Sequence, residues 1–167
     1  MSEIVAVNTF QELFLGDCLE IMPELPDQSV NMICTDLPYG TTRNRFDVII
    51  PFEPMWQQFN RIIKDNGAIV LFGMGGFSAK LILSNEKYYR YSMIWQKTTP
   101  TDFLNANRKP LNCHEDIHVF YKKLPTYNPQ KTTGHPRKVS TAKDKRGQKK
   151  SSNYADFEFT SYDSTGS

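Results

Sequence analysis

Cysteine is scarce in this sequence. Three occur in 167 residues, Cys18, Cys34 and Cys113, odd in number and far apart. That pattern excludes a disulfide framework and a paired-cysteine zinc site, and thiols in a reducing cytoplasm are the simplest expectation. Long apolar runs are missing as well. No stretch approaches the ~20 residues of a membrane-spanning helix, and the first residues lack a basic segment followed by an apolar one. The sequence therefore reads as neither a membrane nor a secreted protein. No internal repeat is visible, and neither sign of charge is in large excess, the net charge being +2. A length of 167 residues suits one domain with a sizeable core.

The charge is unevenly placed. Residues 1–121 carry 10 Lys/Arg and 14 Asp/Glu, a balance of −4. Residues 122–150 carry 10 basic residues and only Asp144, a balance of +9, and the last 17 residues return −3. An acidic globular part is followed by a basic, polar one. Such a block attracts polyanions, nucleic acid first among them; a solvated, disordered tail is the other reading.

Periodicity locates the elements. Asp17 to Met22 begins a helical stretch that Pro23 and Pro26 break. Ser29 to Thr35 alternates, is rich in β-formers, and reads as a strand. Phe52, Met55, Trp56, Phe59, Ile62 and Ile63 are spaced by threes and fours, which predicts an amphipathic helix over 52–64, with Asp65-Asn66-Gly67 as its stop. The apolar run Ala68 to Gly73 suits a strand buried on both faces. A helix over 77–85 and strands over 89–97 and 117–121 follow. Strand, helix, strand, helix, strand at these spacings predicts an α/β layout with a mainly parallel sheet. Beyond Lys123 periodicity stops, and Pro125, Pro129, Gly134, Pro136 and Gly147 fall among Lys, Thr and Ser. This divides the chain at 1–123 and 124–167, the second part reading as a long loop or disordered stretch.

The most informative segment is Asp36-Leu37-Pro38-Tyr39-Gly40, directly after a predicted strand. In open α/β sheets ligands sit beyond the carboxyl ends of the strands. An acid, a rigid turn and an aromatic there make a small polar site with a stacking surface. Pro38 biases Leu37 towards an extended backbone, which can turn the Leu37 carbonyl outwards. An ordinary turn, with Asp36 capping it and Tyr39 packing nearby, is the plainer reading of the five residues alone.

Their context is more specific. The segment resembles the Asp-Pro-Pro-Tyr motif of the DNA amino-methyltransferases, and most closely the β-class arrangement, in which the catalytic motif precedes the cofactor loop. The likeness extends to Leu15-Gly16-Asp17-Cys18-Leu19, Leu25 to Asn31, Phe52 to Trp56, Asn66 to Phe72, Trp95-Gln96-Lys97, His114-Glu115 and Phe120-Tyr121-Lys122, covering about residues 11–125. It implies a partial Rossmann-like class I methyltransferase sheet, mainly parallel, and a site-specific enzyme of restriction-modification or phage type. The cofactor implied is S-adenosylmethionine and the substrate double-stranded DNA with a flipped adenine. By this resemblance Asp36, Leu37, Pro38 and Tyr39 are catalytic: the Asp36 carboxylate and Leu37 carbonyl accept the amine protons, and Tyr39 stacks on the base. Family members with Asp first usually methylate adenine rather than cytosine. Leu37 stands where Pro is commoner, at a position that offers a carbonyl. Asp17 and Cys18, with Asp36, are implied on the cofactor side, although Asp17 suits a helix N-cap equally well. Arg43, Lys122, Lys123, Lys131, Arg137 and Lys138 are the candidate nucleic-acid contacts, the basic segment lying where target recognition begins.

Two segments mislead. Phe72-Gly73-Met74-Gly75-Gly76 resembles the Phe-x-Gly-x-Gly cofactor loop of the family, but its glycines fall at other positions, and a strand-to-helix turn is expected. The cofactor-loop half is thus not found in these residues. A truncated or split enzyme is expected, weak or inactive alone, with a homo-oligomer or a complementary C-terminal chain as partner. A non-catalytic DNA-binding remnant is the alternative. His114-Glu115-Asp116-Ile117-His118 matches the zinc-peptidase pattern, which needs a helix. The alternation around Ile117 to Tyr121 predicts a strand, where residues four apart lie about 13 Å from each other. No metal site is assigned.

Overall fold

A computed structural model describes residues 3–8 and 11–134. The chain falls into two units, Met1–Thr126 and Tyr127–Ser167. In the second, the described residues 127–134 contain no helix or strand. Arg137 and Lys138 lie outside the described residues.

The first unit opens with a hairpin of β1 (Glu3–Asn8) and β2 (Gln11–Leu15). A short helix α1 (Cys18–Ile21) runs into a 3-10 turn over Met22–Glu24, which contains Pro23. Then come β3 (Val30–Asp36), α2 (Phe52–Ile62), β4 (Ile63–Gly73), α3 (Gly75–Ser84), β5 (Tyr89–Thr101) and β6 (Asn112–Phe120). The fold class is α/β, as the sequence indicates.

The sheet order is β3-β4-β6-β5. The mainly parallel expectation needs correction: β3 and β4 are parallel, whereas β6 is antiparallel to both β4 and β5. Strands β3, β4 and β5 still point the same way, as strand-helix-strand crossovers require. The reversal belongs to β6, which returns from β5 after ten residues (102–111) and takes the place between it and β4.

Gly67 accounts for a second difference. The helix stop expected at Asp65-Asn66-Gly67 lies instead within β4, because α2 ends at Ile62 and the chain turns straight into strand. A Cβ on Gly67 would stand 2.8 Å from the Asn31 carbonyl oxygen of β3 and 2.7 Å from the Ile63 side chain. Glycine is needed there for close backbone approach at the irregular start of the β3–β4 pairing, not to end a helix.

The core lies between one sheet face and α2 and α3. Met55, Trp56, Phe59 and Ile62 of α2 and Phe77 and Leu81 of α3 meet Ile69, Leu71 and Phe120. The Trp56 indole donates to Ser84 Oγ at 2.7 Å, joining the two helices. Arg61 aims the start of β3. Its guanidinium donates to the Met22 and Leu25 carbonyls at 2.7 and 2.8 Å and pairs with Asp27 at 2.5 Å, while the Gln28 amide donates to the Arg61 carbonyl.

The opposite face carries no helix of the described residues. The register places Met32, Val70, Phe72, Met93, Tyr91 and Trp95 there. Met32, Tyr91, Met93 and Trp95 are each between 44% and 56% exposed. Among the described residues β3 also pairs on one side only. A parallel pair whose apolar residues point to both faces is built to be covered on both. No helix among the described residues is long and apolar enough to cross a membrane.

Candidate active site

Asp36 is the last residue of β3 and is paired with Phe72 of β4, so its exposed carboxylate stands at the carboxyl end of the parallel pair. Leu37 follows with its side chain buried in the core. The sequence reading assigns this position only a carbonyl; the structure adds an anchor that fixes the turn behind Asp36. Pro38 comes next, and the Tyr39 ring packs against Phe77 of α3 at 4.9 Å between centroids, inclined by 34°. The Tyr39 hydroxyl is buried with no well-aligned hydrogen-bond partner among the described residues. Burial first, then the nearby Asp36, Glu115 and Asp116 carboxylates, push its pKa far above the usual phenol range. Tyr39 is therefore a neutral ring at any working pH.

The loop after the motif has an organiser that sequence reasoning missed. Asp47 accepts hydrogen bonds from the amides of Gly40 and Thr41, each at 2.8 Å, and of Thr42 at 2.6 Å. The Thr42 side chain and these amides hold the Asp47 carboxyl below the usual carboxylate range. Gly40 adopts a φ of +67°, and a Cβ there would meet Ile49 at 2.9 Å. The only signal in the sequence is an acid that closes a Gly-Thr-Thr segment several residues on.

Motif and loop together line an open pocket of about 360 Å³, formed by Asp36, Leu37, Pro38 and Tyr39 and by Thr41, Thr42, Asn44, Phe46 and Asp47. That is a volume suited to a small ligand. Of the residues implied on the cofactor side, Asp36 lines this pocket and Asp17 and Cys18 do not. Asp17 caps α1 instead, its carboxylate accepting from the Leu19 amide at 2.8 Å, while remaining exposed. Burial and the Asp17 charge raise the pKa of the Cys18 thiol.

Among the candidate nucleic-acid contacts, Arg43 is exposed in the pocket loop. Lys122 and Lys123 are at the far end of the sheet. Lys122 donates to the Asn60 carbonyl at 2.9 Å, and Lys123 pairs with Asp65 at 2.7 Å. Lys131 is exposed in the second unit.

Behind the pocket is a buried polar group. Gly73 ends β4 so tightly packed that a Cβ would lie 2.8 Å from Ser78 Oγ and 3.1 Å from His118 Nε2. Ser78 donates to Asp116 at 2.9 Å, tying the first turn of α3, and with it Phe77, to β6. His118 is 1% exposed; its Nδ1 meets Ser92 Oγ at 2.7 Å, and its Nε2 is buried without a partner among the described residues. His114 and His118 lie on strand β6 and Glu115 pairs with Lys97 at 2.5 Å, so the helical zinc-peptidase geometry is absent. Phe72 to Gly76 is the expected strand-to-helix turn.

Burial lowers the His118 pKa against an opposing pull from Asp116. The folded state then resists a proton that the unfolded state accepts. Stability is expected to be fully present above the ordinary histidine value near 6.5 and to fall as pH drops below it. Urea melts at pH 7.5 and 5.5 should show this loss, and His118→Asn should flatten the step.

The geometry has counterparts among known proteins. The Type II methyltransferase M.HinfI of Haemophilus influenzae is 26% identical over 140 residues, covering 64% of this chain and 39% of that protein. Two solved structures share the fold. The PvuII DNA methyltransferase, named cytosine-N4-specific, superposes with a TM-score of 0.53 at 13% identity, over 68% of this chain and 50% of its own. M1.HpyAVI in a SAM complex gives 0.52 at 19% identity, over 74% and 62%. The chain thus spans about two-fifths of the curated relative and half to three-fifths of the solved ones. The DNA methylase family model matches residues 30–164, from the strand that delivers Asp36 through the whole four-stranded sheet and beyond; this chain belongs to the DNA methylase family.

Proposed function

We propose that this chain carries the catalytic-motif part of an enzyme that transfers a methyl group to the exocyclic amine of adenine in DNA. The observation that carries the reading is the exposed Asp36 carboxylate at the carboxyl end of β3, opening a pocket beside a neutral, half-buried Tyr39 ring. The amine of a base is a poor nucleophile because its lone pair is delocalised into the ring. Two acceptors on its two protons, the Asp36 carboxylate and the Leu37 carbonyl, would favour a pyramidal nitrogen with a directed lone pair. S-adenosylmethionine, the family's cofactor, supplies an electrophilic methyl group when bound. The base must leave the duplex to reach the pocket, and Tyr39 offers it a stacking face.

Adenine rather than cytosine is proposed from the Asp at the head of the motif. Asp17 and Cys18 are proposed on the cofactor side; Asp17 is exposed, so capping α1 leaves its carboxylate within reach of a ligand. Arg43, next to the pocket, is proposed to contact phosphate. Lys122 and Lys123 are proposed as DNA contacts away from the pocket. The segment from residue 124 onward, with Lys131, Arg137 and Lys138, is proposed as the start of target recognition.

The apolar sheet face, and β3 pairing on one side only among the described residues, support a further part to the reading. They are proposed to be covered by a complementary methyltransferase segment or by a second copy of the chain. A split methyltransferase subunit that binds DNA without transferring methyl is therefore the second reading. The test is transfer of labelled methyl from S-adenosylmethionine to unmethylated DNA, followed by hydrolysis and base analysis. Labelled N6-methyladenine supports the proposal, and N4-methylcytosine overturns the choice of base. Salt-dependent DNA binding with no label supports the subunit reading. Sedimentation showing a stable, well-folded monomer would overturn self-association.

A further inference from the structure

We infer that Phe46 is the second stacking face for the extrahelical base, closing the pocket opposite Tyr39; this rests on the function proposed above. Phe46 lines the same pocket as Asp36 and Tyr39, yet is 80% exposed. A loose loop would explain such exposure, but this loop is pinned. Asp47, the next residue, gathers the amides of Gly40, Thr41 and Thr42, and its own amide donates to the Asn44 carbonyl at 3.0 Å. The chain on either side of Phe46 is therefore held while its ring is left in water.

Tyr39 cannot supply both faces. One side of its ring is occupied by Phe77, and its hydroxyl is buried. A flat base lying on the free side of Tyr39 would have its amine edge near Asp36 and its other face open. Among the described residues, Phe46 is the aromatic side chain that lines the pocket besides Tyr39. An aromatic ring suits this place better than a hydrogen-bonding group, since every base has a π-face and loses water from it on stacking. Selection of the amine then stays with Asp36 and Leu37, and Phe46 contributes retention of the flipped base.

The test uses labelled duplexes that carry one unpaired, bulged adenine, compared with fully paired duplexes of the same sequence. A bulge presents a base already outside the stack, so no recognition sequence is needed. Binding of the full chain is followed by fluorescence anisotropy. The wild type is expected to prefer the bulged duplex, and Phe46→Ala to reduce that preference by about 5- to 150-fold, the range base–aromatic stacking spans. Affinity for the paired duplex should be unchanged, and Phe46→Tyr should retain the preference. A Phe46→Ala variant that keeps the preference would overturn the inference while the proposed function stands. Equal weakening on both duplexes would make Phe46 a general DNA contact or a wedge in the stack, and also overturns it. A wild type with no preference for the bulge removes the base-pocket reading itself, and this inference with it.

Discussion

Asp36→Ala is expected to lower methyl transfer by about 10²–10³-fold, the usual cost of deleting one preorganised polar group that supports a transition state. The measurement is initial-rate incorporation of labelled methyl into unmethylated DNA, on whichever assembly transfers, this chain alone or with its complement. Stability should barely move. Asp36 is exposed at a strand end, and substitutions of that kind usually stay within about 0.5 kcal/mol. The turn is held from elsewhere, by buried Leu37 behind it and by the Asp47 carboxylate beside it. A variant that melts like the wild type but does not transfer would therefore report chemistry and not folding. Asp36→Asn separates charge from shape: one acceptor oxygen remains, but its amide group opposes the amine protons, so transfer should also fall steeply. Transfer unaffected in both variants would remove Asp36 from the mechanism.

Phe120→Ala is expected to cost about 3–5 kcal/mol, against a total of about 5–15 kcal/mol for a domain. Phe120 is fully buried, with Trp56 at 4.9 Å and Tyr89 at 5.7 Å between ring centroids, and it pairs with Ile69 across the sheet. It thus joins α2 to both β4 and β5, the strands that flank β6. Urea unfolding should show a lower midpoint at nearly constant slope. Leu83→Ala is the control: Leu83 is 73% exposed on α3 and should change stability by less than about 0.5 kcal/mol. Equal effects at the two positions would mean that the core lies elsewhere.

Much of the architecture is legible in local patterns. The threes and fours from Phe52 to Ile62 became α2 with Met55, Trp56, Phe59 and Ile62 buried, because one stripe of a helix faces the sheet. The unbroken run from Ile69 to Phe72 became an inner strand for the same reason in two-residue period. Asn66-Gly67 was misleading, since a glycine that ends a helix and one that admits a neighbouring carbonyl look alike in sequence. Lys122 and Lys123 read as part of a basic block, while their ammonium groups in fact meet Asn60 and Asp65, residues about 60 positions away along the chain. Phe46 gave no local signal, and Asp47 only that of an acid a few residues past Gly-Thr-Thr, because their roles depend on a loop folding back onto Gly40.

The sequence by itself determined the α/β class, the position of the Asp36–Gly40 segment at a strand end, and the likeness to the DNA amino-methyltransferases. These depend on residue order and short-range periodicity, which the chain carries whatever its tertiary arrangement. Only the tertiary structure decided that β6 enters between β4 and β5, that one sheet face is left uncovered among the described residues, and that Asp47 shapes the pocket. Those features depend on which distant groups meet. Strand order and loop closure are set by packing and hydrogen bonding across the fold, and no local pattern specifies them.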